Sequence, residues 1–312
     1  MNNKRANQLA VHSICEFVVS VPDLQQAYDF YHAFGLDVKK ATDGYLELYT
    51  YGCPHRWARI YQAGDKKQLK WLSFGVYAED FEAMQQHIAA KNIPTIAALD
   101  DQAAQSFWIQ GPNELPLQIM VADKVSPSQK YKVIHPPAES WAGRAPNRKA
   151  IKQIRPDYLS HLAIFTVDVE ETVNFFMDVL GLRMSDQSRG IVAFLHGAHG
   201  SDHHLLAIAK SNGGGLHHSS WNVDQIDDVG LGKQQMEQAG YDQGWGLGRH
   251  VLGSNYFYYV RDPWGSYAEY SHDMDFVSHD YDWPAADHPP EDSTFLWGPN
   301  PPQDFITNYE TI

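Results

Sequence analysis

The chain has 312 residues, 43% of them hydrophobic and 13% aromatic, enough for two globular domains of roughly 150 residues each. Its formal charge of −14, with Lys and Arg scattered, argues against nucleic acid or an anionic membrane surface as partner, and no apolar run approaches the ~20 residues that span a bilayer. Cys15 and Cys53 are the only cysteines, too few for a disulfide framework or a thiolate metal site, so a cytoplasmic acidic enzyme is expected, and the count that stands out is 16 His.

Residues Met1 to His12 read as a polar, frayed start. Ile14 to Val21 reads as a strand, Pro22-Asp23 as a turn and helix start, and Leu24, Ala27, Phe30, Tyr31 and Phe34 fall at helical spacing before a Gly35 cap. Short apolar stretches follow at Tyr45 to Thr50, Trp57 to Tyr61 and Leu69 to Val76. A helix from about Asp80 to Lys91 and two further strands before Val121 complete the first half. This order is βαβββ, repeated in type.

Asp123 to Asp157 is polar and contains Pro127, Pro136, Pro137, Pro146 and Pro156, the signature of a crossover between domains. The second half then begins as the first did. Leu159 to Asp168 is a strand ending in an acidic turn, and Val173, Phe176, Val179 and Leu180 make a helix closed by Gly181-Leu182, as Gly35-Leu36 closes the first. The halves are internal repeats. Asp23 falls on Asp168, Glu16 on His161, Trp71 on His218 and Gln118 on Glu269, so one half carries His, His and Glu where the other carries Glu, Trp and Gln. Trp71 and Gln118 read as structural replacements, and Glu16 needs a hydrogen-bonding partner if buried, with the tail or a second subunit as the candidates. The expected domains are 1–123, a linker 124–157, a metal-bearing half 158–275 and a packing tail 276–312.

The stretch from Gly248 to Glu269 places a His, a Tyr and a Glu on strand, turn and strand, with Asp262-Pro263-Trp264-Gly265 as the turn. Parity puts Tyr259 and Glu269 on one face. Two imidazoles and a carboxylate on neighbouring strands suit a divalent ion held on one side, the facial arrangement of non-haem iron oxygenases, with zinc as the competitor. His250, Tyr259, and His203 and His204 on the preceding strand supply acid and base groups beside it. His12, His32, His87, His272, His279 and His288 are expected at the surface or in the tail.

Three segments, Leu159-Ser160-His161, His203 to Ala207 with Leu216-His217-His218, and His250 through Tyr259, Asp262-Pro263, Gly265 and Glu269, resemble the type I extradiol ring-cleavage dioxygenases of the vicinal oxygen chelate superfamily. Tyr258 departs from that pattern, which usually has an aliphatic residue or Phe there. The resemblance implies an α+β fold of two tandem domains, each of paired βαβββ modules curving round a central cavity. It implies His161, His218 and Glu269 as ligands to Fe(II), with Mn(II) as the alternative, and His217 facing away. It selects His204 over His203 as the acid and base, and assigns His250 and Tyr259 to the substrate's oxygens. The implied reaction inserts both atoms of O2 into a catechol-type diol beside its hydroxyls, giving a muconic semialdehyde. A homo-oligomer is expected. A hydroquinone-cleaving dioxygenase, a glyoxalase-like isomerase and a non-catalytic binding protein of the same fold are the alternatives.

Overall fold

The structure is a computed structural model that describes residues 4–100, 102–131, 145 and 147–312. Much of the expected linker, 132–144 and 146, lies outside the described residues, as do residues 1–3. Seven strands in the first half, β1 (Ser13–Val21), β2 (Asp37–Lys40), β3 (Leu46–Tyr49), β4 (Arg56–Gln62), β5 (Gln68–Val76), β6 (Ser106–Gln110) and β7 (Pro116–Val121), form one mixed sheet in the order β2-β3-β4-β1-β5-β7-β6. The second half repeats the pattern with β8 (Tyr158–Thr166), β9 (Arg183–Ser188), β10 (Val192–His196), β12 (Leu206–Lys210), β13 (Gly215–Asn222), β15 (Tyr256–Arg261) and β16 (Tyr267–His272). Its sheet gains β14 (Gly244–Arg249) at one edge and β18 (Ala286–Asp287) at the other, and β11 (Ser201–Asp202) pairs separately with β17 (Phe276–Val277).

Helices α1 (Leu24–Ala33) and α3 (Val169–Leu180) follow the first strand of each half, and α2 (Phe81–Ala90) and α4 (Ile226–Gln238) follow β5 and β13. Asp23 and Asp168 each cap their helix by accepting backbone N–H bonds, the role their shared repeat position implied. Gly35 sits just past α1 at φ +98°, where a Cβ would lie 2.0 Å from the Ile154 carbonyl oxygen. Only glycine satisfies both the left-handed backbone and the close passage of the linker.

The strand registers of the halves superimpose. Glu16 pairs with Ser73 and Ser73 with Gln118 in the first sheet; His161 pairs with Ser220 and Ser220 with Glu269 in the second. A shift of one residue would have turned His161, His218 and Glu269 to different faces. A single apolar core runs through both halves, joining Phe17, Phe30, Phe74, Phe176, Trp221 and Tyr270 among others. Phe34 stacks on Tyr270 at 3.9 Å between centroids, so helix α1 of one half packs on strand β16 of the other.

Three expectations are corrected. The start of the chain is not frayed after Leu9: Ala10, Val11 and His12 are fully buried, and Val11 N–H donates to the Leu180 carbonyl. His12 and His272 are core residues, each bonded to a backbone carbonyl, because each lies on or beside a central strand. Glu16 does find partners, in Arg56 and Arg59 of β4 at 2.7 Å each rather than in the tail. Among the described residues, no helix is long and apolar enough to cross a membrane.

Candidate metal centre

Strands β8, β13 and β16 lie side by side and turn His161, His218 and Glu269 inward to one point. His161 Nε2 is 3.1 Å from His218 Nε2 and 3.3 Å from Glu269 Oε2, and His218 Nε2 is 3.5 Å from Glu269 Oε2. Such edges are those of three donor atoms sharing one ion at about 2.0–2.2 Å. All three side chains are buried, Glu269 completely, and Glu269 Oε2 has no hydrogen-bond donor. A buried carboxylate oxygen left so costs several kcal/mol, on the order of 2–5, and a cation in the triangle removes that cost. The donor set therefore fits a divalent metal.

Burial would raise the Glu269 carboxyl, but the surrounding His161, His250 and His218 rings outweigh it and hold the group well below the usual carboxylate range. Asn255 Nδ2 donates to Glu269 Oε1 at 3.2 Å and to Ser271 Oγ at 2.9 Å, fixing the oxygen turned away from the triangle. Burial, and then the adjacent His217 ring, push His218 well below its ordinary pKa, leaving it neutral.

His217 does not face away. Its Nε2–H donates to the Phe305 carbonyl at 2.8 Å, and its Nδ1 is 2.6 Å from His218 Nδ1. A carbonyl only accepts, so the neutral His217 ring has its proton on Nε2 and its lone pair on Nδ1. That makes His218 the donor at Nδ1 and leaves His218 Nε2 bare for a metal.

His204 lines the cavity, with its ring 4.1 Å from His161 and 4.9 Å from Phe194 between centroids. The His203-His204 pair lies in the loop between β11 and β12, not on a strand as expected. His203 turns the other way and is bonded to Asp186. Burial, then the surrounding imidazoles, hold His204 well below its ordinary pKa. Also lining the cavity, His250 Nε2 is 3.0 Å from Tyr259 Oη, while His250 Nδ1–H donates to the Thr294 carbonyl. Tyr259 pairs with Glu269 across β15 and β16, as parity required. Burial, followed by the charge of Glu269, keeps its phenol protonated.

These groups line a cavity of about 340 Å³ whose remaining walls are mostly apolar, including Val192, Phe194, Ala207, Leu252 and Ile306, with Lys210 and Ser293 also in the lining. Sequence reasoning missed Asn255, His217 as a contributor, Asp186, and the tail residues Thr294 and Phe305. The doubling of His at 203–204 and 217–218 was a visible signal; the tail's place over the site had none.

The sequence profile of the Glyoxalase/Bleomycin resistance protein/Dioxygenase superfamily matches residues 13–119 and 158–270, the two repeats. Metapyrocatechase 2 of Cupriavidus necator is 42% identical over 301 residues, covering 96% of this chain and 93% of that one. An extradiol ring-cleaving dioxygenase from B. fuscum superposes with a TM-score of 0.76 at 18% identity, over 97% of this chain and 83% of that one. The Mn(II)-bound glyoxalase from Novosphingobium aromaticivorans superposes with a TM-score of 0.75 at 22% identity, over 94% and 93%. The repeated fold and the near-full-length match together mean that this chain belongs to the Glyoxalase/Bleomycin resistance protein/Dioxygenase superfamily, within which it is an extradiol ring-cleavage dioxygenase.

Proposed function

We propose that His161, His218 and Glu269 hold Fe(II), with Mn(II) as the alternative, and that the enzyme opens the ring of a catechol-type diol beside its hydroxyls, retaining both atoms of O2 in a muconic semialdehyde-type product. The observation that carries this reading is the buried triangle of two imidazole nitrogens and an unpartnered carboxylate oxygen, opening onto a largely apolar cavity. A divalent metal held by these residues would supply Lewis acidity toward the diol hydroxyls and the chemistry that activates O2.

The chain's own residues do the rest. The apolar walls seat the ring and exclude water, which strengthens every polar contact inside. Tyr259, held protonated, and His250, oriented by the Thr294 carbonyl, receive the diol's oxygens. His204, neutral in the resting site, takes the proton of a diol hydroxyl at Nε2 and returns it as the O–O bond breaks. The half formed by residues 1–123 serves as scaffold, 124–157 as the crossover, 158–275 as the catalytic half and 276–312 as a tail packed on it. Both cysteines are free, which supports a cytoplasmic setting.

Aerobic incubation of the Fe(II)-loaded chain with catechol, alkyl- and chlorocatechols, a bicyclic diol and hydroquinone tests the reading. A yellow ring-opened product from at least one diol is expected. Full metal occupancy with no ring opening from any of them would overturn it, and a preference for Mn(II) in activity per bound metal would reassign the ion.

A further inference from the structure

Two His-His doublets border the site, and both are wired alike. In each, the Nδ1 atoms of the neighbouring rings face one another, at 2.6 Å for His217-His218 and 3.1 Å for His203-His204. In each, the second ring lies against the reacting space, and the first ring's Nε2 is committed to a group behind it. The groups behind differ: the Phe305 carbonyl for His217, the Asp186 carboxylate at 2.9 Å for His203.

We infer that Asp186, acting through His203, is a positioning residue that fixes His204 as the Nδ1–H tautomer with Nε2 free toward the substrate; the inference rests on the reading of His204 as the proton carrier. A carboxylate only accepts, so His203 Nε2 bears a proton. With a single proton on the His203 ring, Nδ1 is then the acceptor in the contact with His204, and the shared proton belongs to His204 Nδ1. His203 is fully buried, so water cannot replace either partner. The carboxylate is itself held from the tail: His288 Nε2 donates to it at 2.8 Å, the Ala286 N–H at 3.1 Å and Trp283 Nε1 at 3.2 Å. Four donors saturate Asp186, which sits on β9, the sheet strand that β18 of the tail joins. The same tautomer device thus serves a ligand where it ends on a neutral carbonyl and a proton carrier where it ends on a charge. Loss of the correct tautomer with geometry otherwise intact costs an imidazole base up to ~10⁴-fold in rate.

The test has two arms. Long-range proton–nitrogen correlation on nitrogen-15 histidine-labelled, Zn(II)-loaded enzyme, chosen because that ion is diamagnetic, reads the tautomer in the wild-type protein. A proton on His204 Nδ1 and none on Nε2 is expected, and the reverse would overturn the inference without bearing on activity. In the Fe(II) enzyme, His203→Leu removes the acceptor, whereas the amide of His203→Gln can accept from His204 and donate to Asp186. A fall in kcat of at least ~100-fold is expected for His203→Leu, with KM for the diol and bound metal within about threefold of wild type, and recovery to within about tenfold for His203→Gln. Equal losses in both, or no loss in His203→Leu, would overturn the relay. His204→Asn separates the two readings: wild-type turnover there sinks His204 as proton carrier, whereas slow His204→Asn with unaffected His203→Leu sinks the relay alone.

Discussion

Each oxygen of Glu269 has a different task, and each can be removed separately. Oε2 points into the ligand triangle without a donor, and Oε1 is held by Asn255. Glu269→Gln replaces a charge with a neutral amide, and loss of stoichiometric metal binding, measured by metal analysis after gel filtration, is expected. Asn255→Ala leaves all three ligands in place but frees Oε1 to rotate, so metal affinity should drop by about 10–100-fold while the fold persists. The same magnitude is expected for His217→Ala, since His218 loses the acceptor that fixes its tautomer; His218→Ala should abolish binding. Unchanged affinity in His217→Ala, by competition with a chelator, would show that the Nδ1 contact has no part in holding the metal.

Strands and helices were the most legible level. The apolar runs in Ile14 to Val21 and Leu159 to Thr166, the paired Asp caps and the Gly-Leu helix ends carried the repeat, and the repeat placed His161, His218 and Glu269 in the observed register. Strand β2, Asp37–Lys40, was invisible because Asp-Val-Lys-Lys has one apolar residue to show a period. His12 and His272 were misplaced because a histidine's burial depends on which carbonyl it meets, a property of packing rather than of neighbours in sequence. The contacts behind His204 and His218 were hidden for the same reason: they need ring orientations, and their far ends lie 17 residues from His203 and 88 from His217. The linker passage over α1 gives the element scale its own prediction. Gly35→Ala forces a Cβ against the Ile154 carbonyl in a left-handed conformation and should cost about 2 kcal/mol or more, read as a lower denaturant midpoint; an unchanged midpoint would mean that the linker yields freely.

At the scale of the whole molecule the tail joins the halves. Glu310 accepts from the Leu69 N–H of β5 at 2.8 Å with one oxygen and from the Leu216 N–H of β13 at 2.7 Å with the other. Arg261 grips Asp304 through two bonds, and Lys67 of the first half is buried against Asp262 of the second. Acid should loosen this assembly. Burial, ahead of any charge, pushes His12 and His199 down to about 4 and His196 to about 3, against about 6.5 in the unfolded chain. Folded values below unfolded ones mean that protons favour unfolding, so stability present above about pH 6.5 is lost as pH falls toward about 4. Asp157 and Asp202, raised to about 6 mainly by burial, act in the opposite sense as pH falls below that value, but the ring shifts are larger and more numerous. A Tm that drops between about pH 7 and pH 4.5 is expected, and a flat or rising Tm would contradict it.

Oxygen consumption by the Fe(II)-loaded enzyme tests the central claim most directly. With an accepted diol, wild-type protein should consume O2 and diol in equal amounts as yellow product forms, and Glu269→Gln prepared identically should consume none. Wild-type protein carrying its metal that consumes no O2 with any catechol or hydroquinone, or Glu269→Gln that consumes it at the wild-type rate, would contradict the assignment of the triangle as the centre of ring cleavage.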